Sequence, residues 1–137
     1  MKIAAHGLGL ELSPVNALDG EDWCCVRVLA EVAGFEADFV AYLQGADLVR
    51  FRDSINAVYE AVGQPGEAVL GSAEPGVLIV LSMARLGGIS GKYKFEGEFV
   101  EGGAPTLMGG FEMDQSYLPA LSDGIDRLLA ELKGHET

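Results

Sequence analysis

Residues 23–43 constrain the fold more than any other part of the chain. Apolar side chains occupy the even positions Cys24, Val26, Val28, Ala30 and Val32, while Arg27 and Glu31 lie between them. After Ala33-Gly34 the parity reverses, and Phe35, Ala37, Phe39, Ala41 and Leu43 are apolar around Glu36, Asp38 and Tyr42. A two-residue turn at Ala33-Gly34 places Val32 opposite Phe35, Val28 opposite Phe39 and Cys24 opposite Leu43, so five pairs fall on one face. The same register sets Glu31 opposite Glu36 and brings Arg27 near Asp38. Gly34 can supply the positive φ such a turn needs, with a bulged turn as the alternative, and the segment predicts a hairpin.

A helix is expected next, from Asp47 to Val62, with Leu48, Phe51, Ile55, Val58 and Val62 in one stripe and Gly63 beyond its end. Residues 64–114 read as four strands. Glu67–Ser72 is the first, and a turn at Glu74-Pro75-Gly76 leads to Val77–Ala84, apolar on both faces and read as an interior strand covered on both sides. After Gly87-Gly88, the stretch Ile89–Val100 points Ile89, Tyr93, Phe95 and Phe99 one way and Lys92, Lys94, Glu96 and Glu98 the other. A loop over 101–105 precedes the last strand, Leu107–Asp114, with Leu107, Phe111 and Met113 inward. Residues 2–12 add a first strand through Leu8, Leu10 and Leu12. A closing helix capped by Ser116 carries Leu118, Leu121, Ile125, Leu128, Leu129 and Leu132, and Gly124 allows close approach to the sheet. The fold class is α+β: one antiparallel sheet of six to seven strands with two helices on one face, in the order βββ-α-ββββ-α, forming a single domain over 1–137.

With 137 residues, 49% hydrophobic residues and a mean hydropathy of +0.23, the chain suits one core. Twenty-one acidic against nine basic side chains give a net charge of -12. Phosphate binding needs clustered Lys and Arg, so nucleic acid and anionic membrane surfaces are excluded as partners. The longest apolar run, Val77–Leu81, is far short of the about 20 residues that span a bilayer, and the expected location is cytoplasmic. Cys24 and Cys25 are adjacent on a strand, point to opposite faces and neither pair nor chelate. His6 and His135 lie at opposite ends of the chain, and no His, Cys or carboxylate grouping has metal-ligand spacing. No cofactor is implied, and no catalytic residue stands out.

Carboxylate pairs recur at Glu96/Glu98, Glu112/Asp114 and Glu21/Asp22, but the solvated face of a sheet in any acidic protein produces the same pattern. At Asp114-Gln115-Ser116-Tyr117, polar side chains can satisfy free N–H groups at a helix start, and the Tyr117 hydroxyl can tie to backbone. That group reads as a structural corner first and a partner contact second.

The order of features resembles the WapI-type immunity proteins of bacterial polymorphic-toxin systems. It comprises the Trp23-led strand with Val26 and Val28, the Gly34-Phe35 hairpin with Phe39, the Leu48/Phe51 helix and the segment Phe111–Leu121, FEMDQSYLPAL. The resemblance implies a non-enzymatic protein that binds and neutralises a cognate toxin. An acidic inhibitor suits a basic toxin domain, and its candidate contacts are Glu96, Glu98 and Glu101, or Glu31, Glu36 and Asp38, with Asp114 and Tyr117 at the corner. The alternatives are a homodimer or larger homo-oligomer of structural or regulatory role, and a small-molecule or hydrolytic site lined by Asp114.

Overall fold

The computed structural model describes residues 1–61, 63–72, 76–84, 88–98 and 100–134. Four strands open the chain: β1 (Lys2–Ala5), β2 (Leu8–Pro14), β3 (Trp23–Val32) and β4 (Phe35–Gln44). They form an antiparallel meander in the order β1-β2-β3-β4, the N-terminal sheet. The segment expected to be one strand over 2–12 is thus two, folded back at His6-Gly7, where Gly7 takes φ 102°. The β3–β4 register is the one that alternation predicts: Val32 faces Phe35, Val28 faces Phe39 and Cys24 faces Leu43. Gly34 supplies the positive φ of the turn, 83°. Cys24 is buried with its thiol donating to the Leu43 carbonyl at 3.5 Å, and burial pushes that thiol up to about 11.

Helix α1 (Gly45–Glu60) follows β4 directly. Gln44 and Asp47 form a capping box, with the Asp47 carboxylate accepting from the Gln44 N–H at 2.9 Å. Asp22 reaches in from the β2–β3 connection and accepts from the Ala46 N–H at 2.9 Å. A Cβ at Gly45 would stand 2.6 Å from the Asp22 carboxylate, so glycine here permits the contact. The second carboxylate at the helix start also complements its dipole. Leu48, Phe51 and Ile55 are buried, and the predicted end at Val62 lies outside the described residues.

The chain then builds a second meander from β5 (Gly66–Gly71), β6 (Val77–Met83), β7 (Gly88–Glu96) and β8 (Thr106–Asp114), in the order β5-β6-β7-β8. The expected single sheet of six to seven strands is therefore two four-stranded antiparallel sheets, and the order is ββββ-α-ββββ-α. Alternation assigns faces but does not say which strands are neighbours across a helix, and α1 intervenes where a continuous sheet would have joined β4 to β5. β6 is interior, but only one of its faces is covered. Val77, Ile79, Leu81 and Met83 are buried, whereas Leu78 is exposed and Val80 half-buried. Gly91, directly opposite Phe111, and Gly109, directly opposite Tyr93, leave room for those rings: a Cβ at Gly91 would run into the Phe111 ring. Positions 74 and 75 of the first turn read from the sequence, 87 of the second, and the inward Phe99 lie outside the described residues.

At the end of β8 a single 3-10 turn, Gln115–Tyr117, leads into α2 (Leu118–Leu132). The cap is Asp114, whose carboxylate accepts from the Ser116 N–H at 2.9 Å, and not Ser116 as expected. The Tyr117 hydroxyl accepts from the Ala4 N–H and donates to the Lys2 carbonyl, each at 3.1 Å, fastening the corner to β1. Its six leucines and isoleucines of the predicted stripe are all buried, each contributing about 1.5–3 kcal/mol. The helices do not share one face of a sheet: they pack on each other, α1 along β5 and α2 against β1 and β2. Arg52 of α1 pairs with Asp126 of α2 at 2.9 Å. The sheets touch where His6 and Glu112 exchange backbone hydrogen bonds of 3.2 and 3.0 Å, and where Phe39 meets Phe95 with ring centroids 6.3 Å apart. One apolar cluster takes side chains from both sheets and both helices. Among the described residues no helix is long and apolar enough to cross a membrane.

Candidate protein-binding surface

The apolar alternation of β4 runs further than the core beneath it. Leu43 and Ala41 are buried, Phe39 and Ala37 half-buried, and Phe35 at the hairpin end is 64% exposed. Facing this overhang are the end of β7 and the connection to β8, where Gly97 donates to the Pro105 carbonyl at 2.9 Å and Gly103 to the Val100 carbonyl at 2.8 Å. A groove of about 650 Å³ separates the two. Its walls include Phe35, Phe39 and Val40 on one side and Phe95, Val100 and Leu107 on the other. Val100 is 55% exposed, so the groove is open to a partner.

Its charged lining consists of Glu36, Asp38 and Glu98, with no Lys or Arg. The two acidic groups read from the sequence therefore meet: Glu36 and Asp38 come from β4, Glu98 from beyond β7. Glu96, half-buried at the end of β7, and exposed Glu101 flank Glu98 along the chain. Arg27 grips Asp38 through two hydrogen bonds of 3.0 and 2.8 Å, and these hold the Asp38 carboxyl below the usual carboxylate range. Glu31 stands opposite Glu36 as predicted. Both border a broad hollow of about 1080 Å³ between the β1–β2 and β3–β4 turns, which His6 also lines. Glu11 and Lys2 join Glu31, Glu36 and Asp38 around a smaller hollow, of about 560 Å³, on the outer face of the N-terminal sheet.

Asp114 and Tyr117 lie elsewhere, and their hydrogen bonds are those of the strand-to-helix corner. Asp22, of the Glu21/Asp22 pair, caps α1. The outer face of the C-terminal sheet mixes charges with apolar residues. Lys92 and Lys94 project there beside Leu78, Val80 and Met108, with Glu67, Glu96 and Glu112 on the same face, and Met108 is 67% exposed. Sequence reasoning located the carboxylates but not the apolar walls between them. The available signal was Phe35, a large apolar residue adjoining an exposed turn.

Apolar walls with a carboxylate rim offer contact area and a negative field. Among the described residues no group of three His, Cys, Asp or Glu side chains is placed to hold a metal ion. No curated protein and no solved structure shows a significant match to the chain. The model of the Immunity protein WapI-like family matches residues 2–133, and the chain belongs to that family.

Proposed function

We propose that this chain is a non-enzymatic immunity protein that neutralises a cognate toxin by binding it directly, as one folded unit, and that the toxin domain is basic. Family membership supports the toxin-neutralising role. The observation that carries the choice of surface is the convergence of Glu36, Asp38 and Glu98 on one open apolar groove in a chain of net charge -12. Carboxylates on the rim raise the association rate of a cationic partner, and desolvated apolar contacts in the centre supply most of the affinity. Glu31, Glu96 and Glu101 extend the field, while Asp114 and Tyr117 act by holding the corner.

The test is an affinity pull-down of the tagged protein from its native host at low and high salt. A basic, toxin-like polypeptide that co-purifies and is lost at high salt is the expected result. Recovery of the chain alone as a salt-resistant dimer would overturn it in favour of a homo-oligomer. That second reading has one observation behind it, the exposed Val69, Leu78 and Met108 on the outer face of the C-terminal sheet. The charge of -12 opposes such self-association.

A further inference from the structure

We infer that the partner docks as an added β-strand on the free edge of β4, presenting an extended segment in which apolar and basic residues alternate. This rests on the proposal that the chain binds a basic protein partner, and it specifies how. β4 is the last strand of its sheet and, among the described residues, pairs only with β3. Over Phe35–Val40 no described residue hydrogen-bonds to its other edge. Natural edge strands are blunted by charged side chains, Pro or a bulge. β4 has no Pro or bulge, its ten residues pairing with β3 without a break, and its charges, Glu36 and Asp38, repel an acidic strand but not a basic one. An open edge of this length is a template for strand addition.

The flanking surfaces specify the strand that fits. A strand added about 4.8 Å beyond β4 continues its pleat, so alternate side chains fall on the same two sides. One set enters the groove against Phe35, Phe39, Val100 and Leu107, which calls for aliphatic or aromatic residues. The other set lies over the outer face beside Glu36 and Asp38. Asp38 is already held by Arg27, whereas Glu36, and Glu98 on the far wall, form no ion pair with any described residue. Two carboxylates with no ion pair among the described residues call for Lys or Arg on the incoming strand. A second copy of the chain is a poor occupant, because pairing β4 with β4 would bring Glu36 and Asp38 of each copy together.

The probes are three blocked octapeptides: alternating Val and Lys, alternating Val and Glu, and a block of four Lys followed by four Val. Each is titrated into the 15N-labelled full chain while backbone amides are followed by NMR. The alternating Lys peptide is expected to shift and protect amides of Phe35–Val40 and to shift Glu98 and Val100. The Glu peptide is expected to do neither, and the block peptide to bind about tenfold more weakly. The exposed-site variants Glu36→Lys/Glu98→Lys and Phe35→Ser are each expected to weaken the alternating peptide about tenfold. Equal binding of the two Lys peptides, perturbation spread over the acidic surface, or no binding at low salt would each overturn the inference. A toxin-like partner captured from the host whose affinity ignores both variants would also overturn it, yet leave the neutralising role standing. Peptide binding at β4 with no toxin-like partner from the host would keep the strand-addition site and remove the toxin reading.

Discussion

The two sheets share a plan, a four-strand antiparallel meander followed by a helix, yet they pack and face solvent differently. The N-terminal sheet fills its inner face with aliphatic and small pairs such as Leu12 with Val28, Val26 with Ala41 and Cys24 with Leu43. The C-terminal sheet sets rings over glycines, Phe111 on Gly91 and Tyr93 on Gly109, and continues as a row of aromatic contacts through Phe95 to Phe39 of the other sheet. Outside, the N-terminal sheet carries Glu11, Glu31, Glu36 and Asp38 with Lys2 and Arg27, and the C-terminal sheet carries Glu67, Glu96 and Glu112 with Lys92 and Lys94 among exposed apolar residues. One strand-and-helix plan thus accepts two kinds of core.

The largest effect is expected in the ring-on-glycine packing. Phe111→Ala removes a buried ring whose neighbours include Tyr93 and the glycine it covers, and should cost about 4 kcal/mol in urea unfolding. Gly91→Ala puts a methyl group where the ring lies and should cost about 2 kcal/mol. By contrast, Gly9→Ala in the N-terminal sheet meets nothing closer than 3.8 Å and should stay within about 0.5 kcal/mol of the parent. Equal losses at Gly91 and Gly9 would erase the packing difference between the sheets.

A smaller contrast separates the two faces of β3. Cys24 is buried with its thiol held protonated, and Cys25 is half-buried on the outer face. At pH 8 a thiol reagent should label Cys25 in the folded chain and reach Cys24 only in denaturant, as read by mass spectrometry.

The smallest effect concerns the exposed Arg27–Asp38 pair. The guanidinium lowers the Asp38 pKa, so whatever the pair adds to stability is present above the ordinary carboxylate range and fades as pH falls through the lowered value. In Arg27→Ala the Asp38 carboxyl should return to the ordinary range in an NMR titration, with no resolvable change in the unfolding midpoint at neutral pH.

Much of the fold was legible because burial on one face leaves a period. In β3–β4 that period, with Gly34 to turn on, was enough for a residue-by-residue register that includes the Arg27–Asp38 contact. The stripes of both helices and the tie of the Tyr117 hydroxyl to backbone were readable for the same reason, as local consequences of spacing and side-chain chemistry. The division into two sheets was not, because strand pairing across α1 is set by packing that no local window contains. The turn at His6-Gly7 was missed since the short run before it carries too few alternations to mark a strand end. The groove was half legible: its carboxylates stand out in sequence, but the approach of Glu36 to Glu98 depends on Phe39 meeting Phe95 between the sheets.

The most direct test of the account reverses charge on each sheet in turn. The native-host pull-down is run in parallel with the parent chain, Glu36→Lys/Glu98→Lys and Lys92→Glu/Lys94→Glu, and the affinity of the captured partner for each is measured by calorimetry. About tenfold or greater weakening is expected for the Glu variant and little change for the Lys variant. Loss confined to the Lys variant would place the partner on the C-terminal sheet and contradict the account.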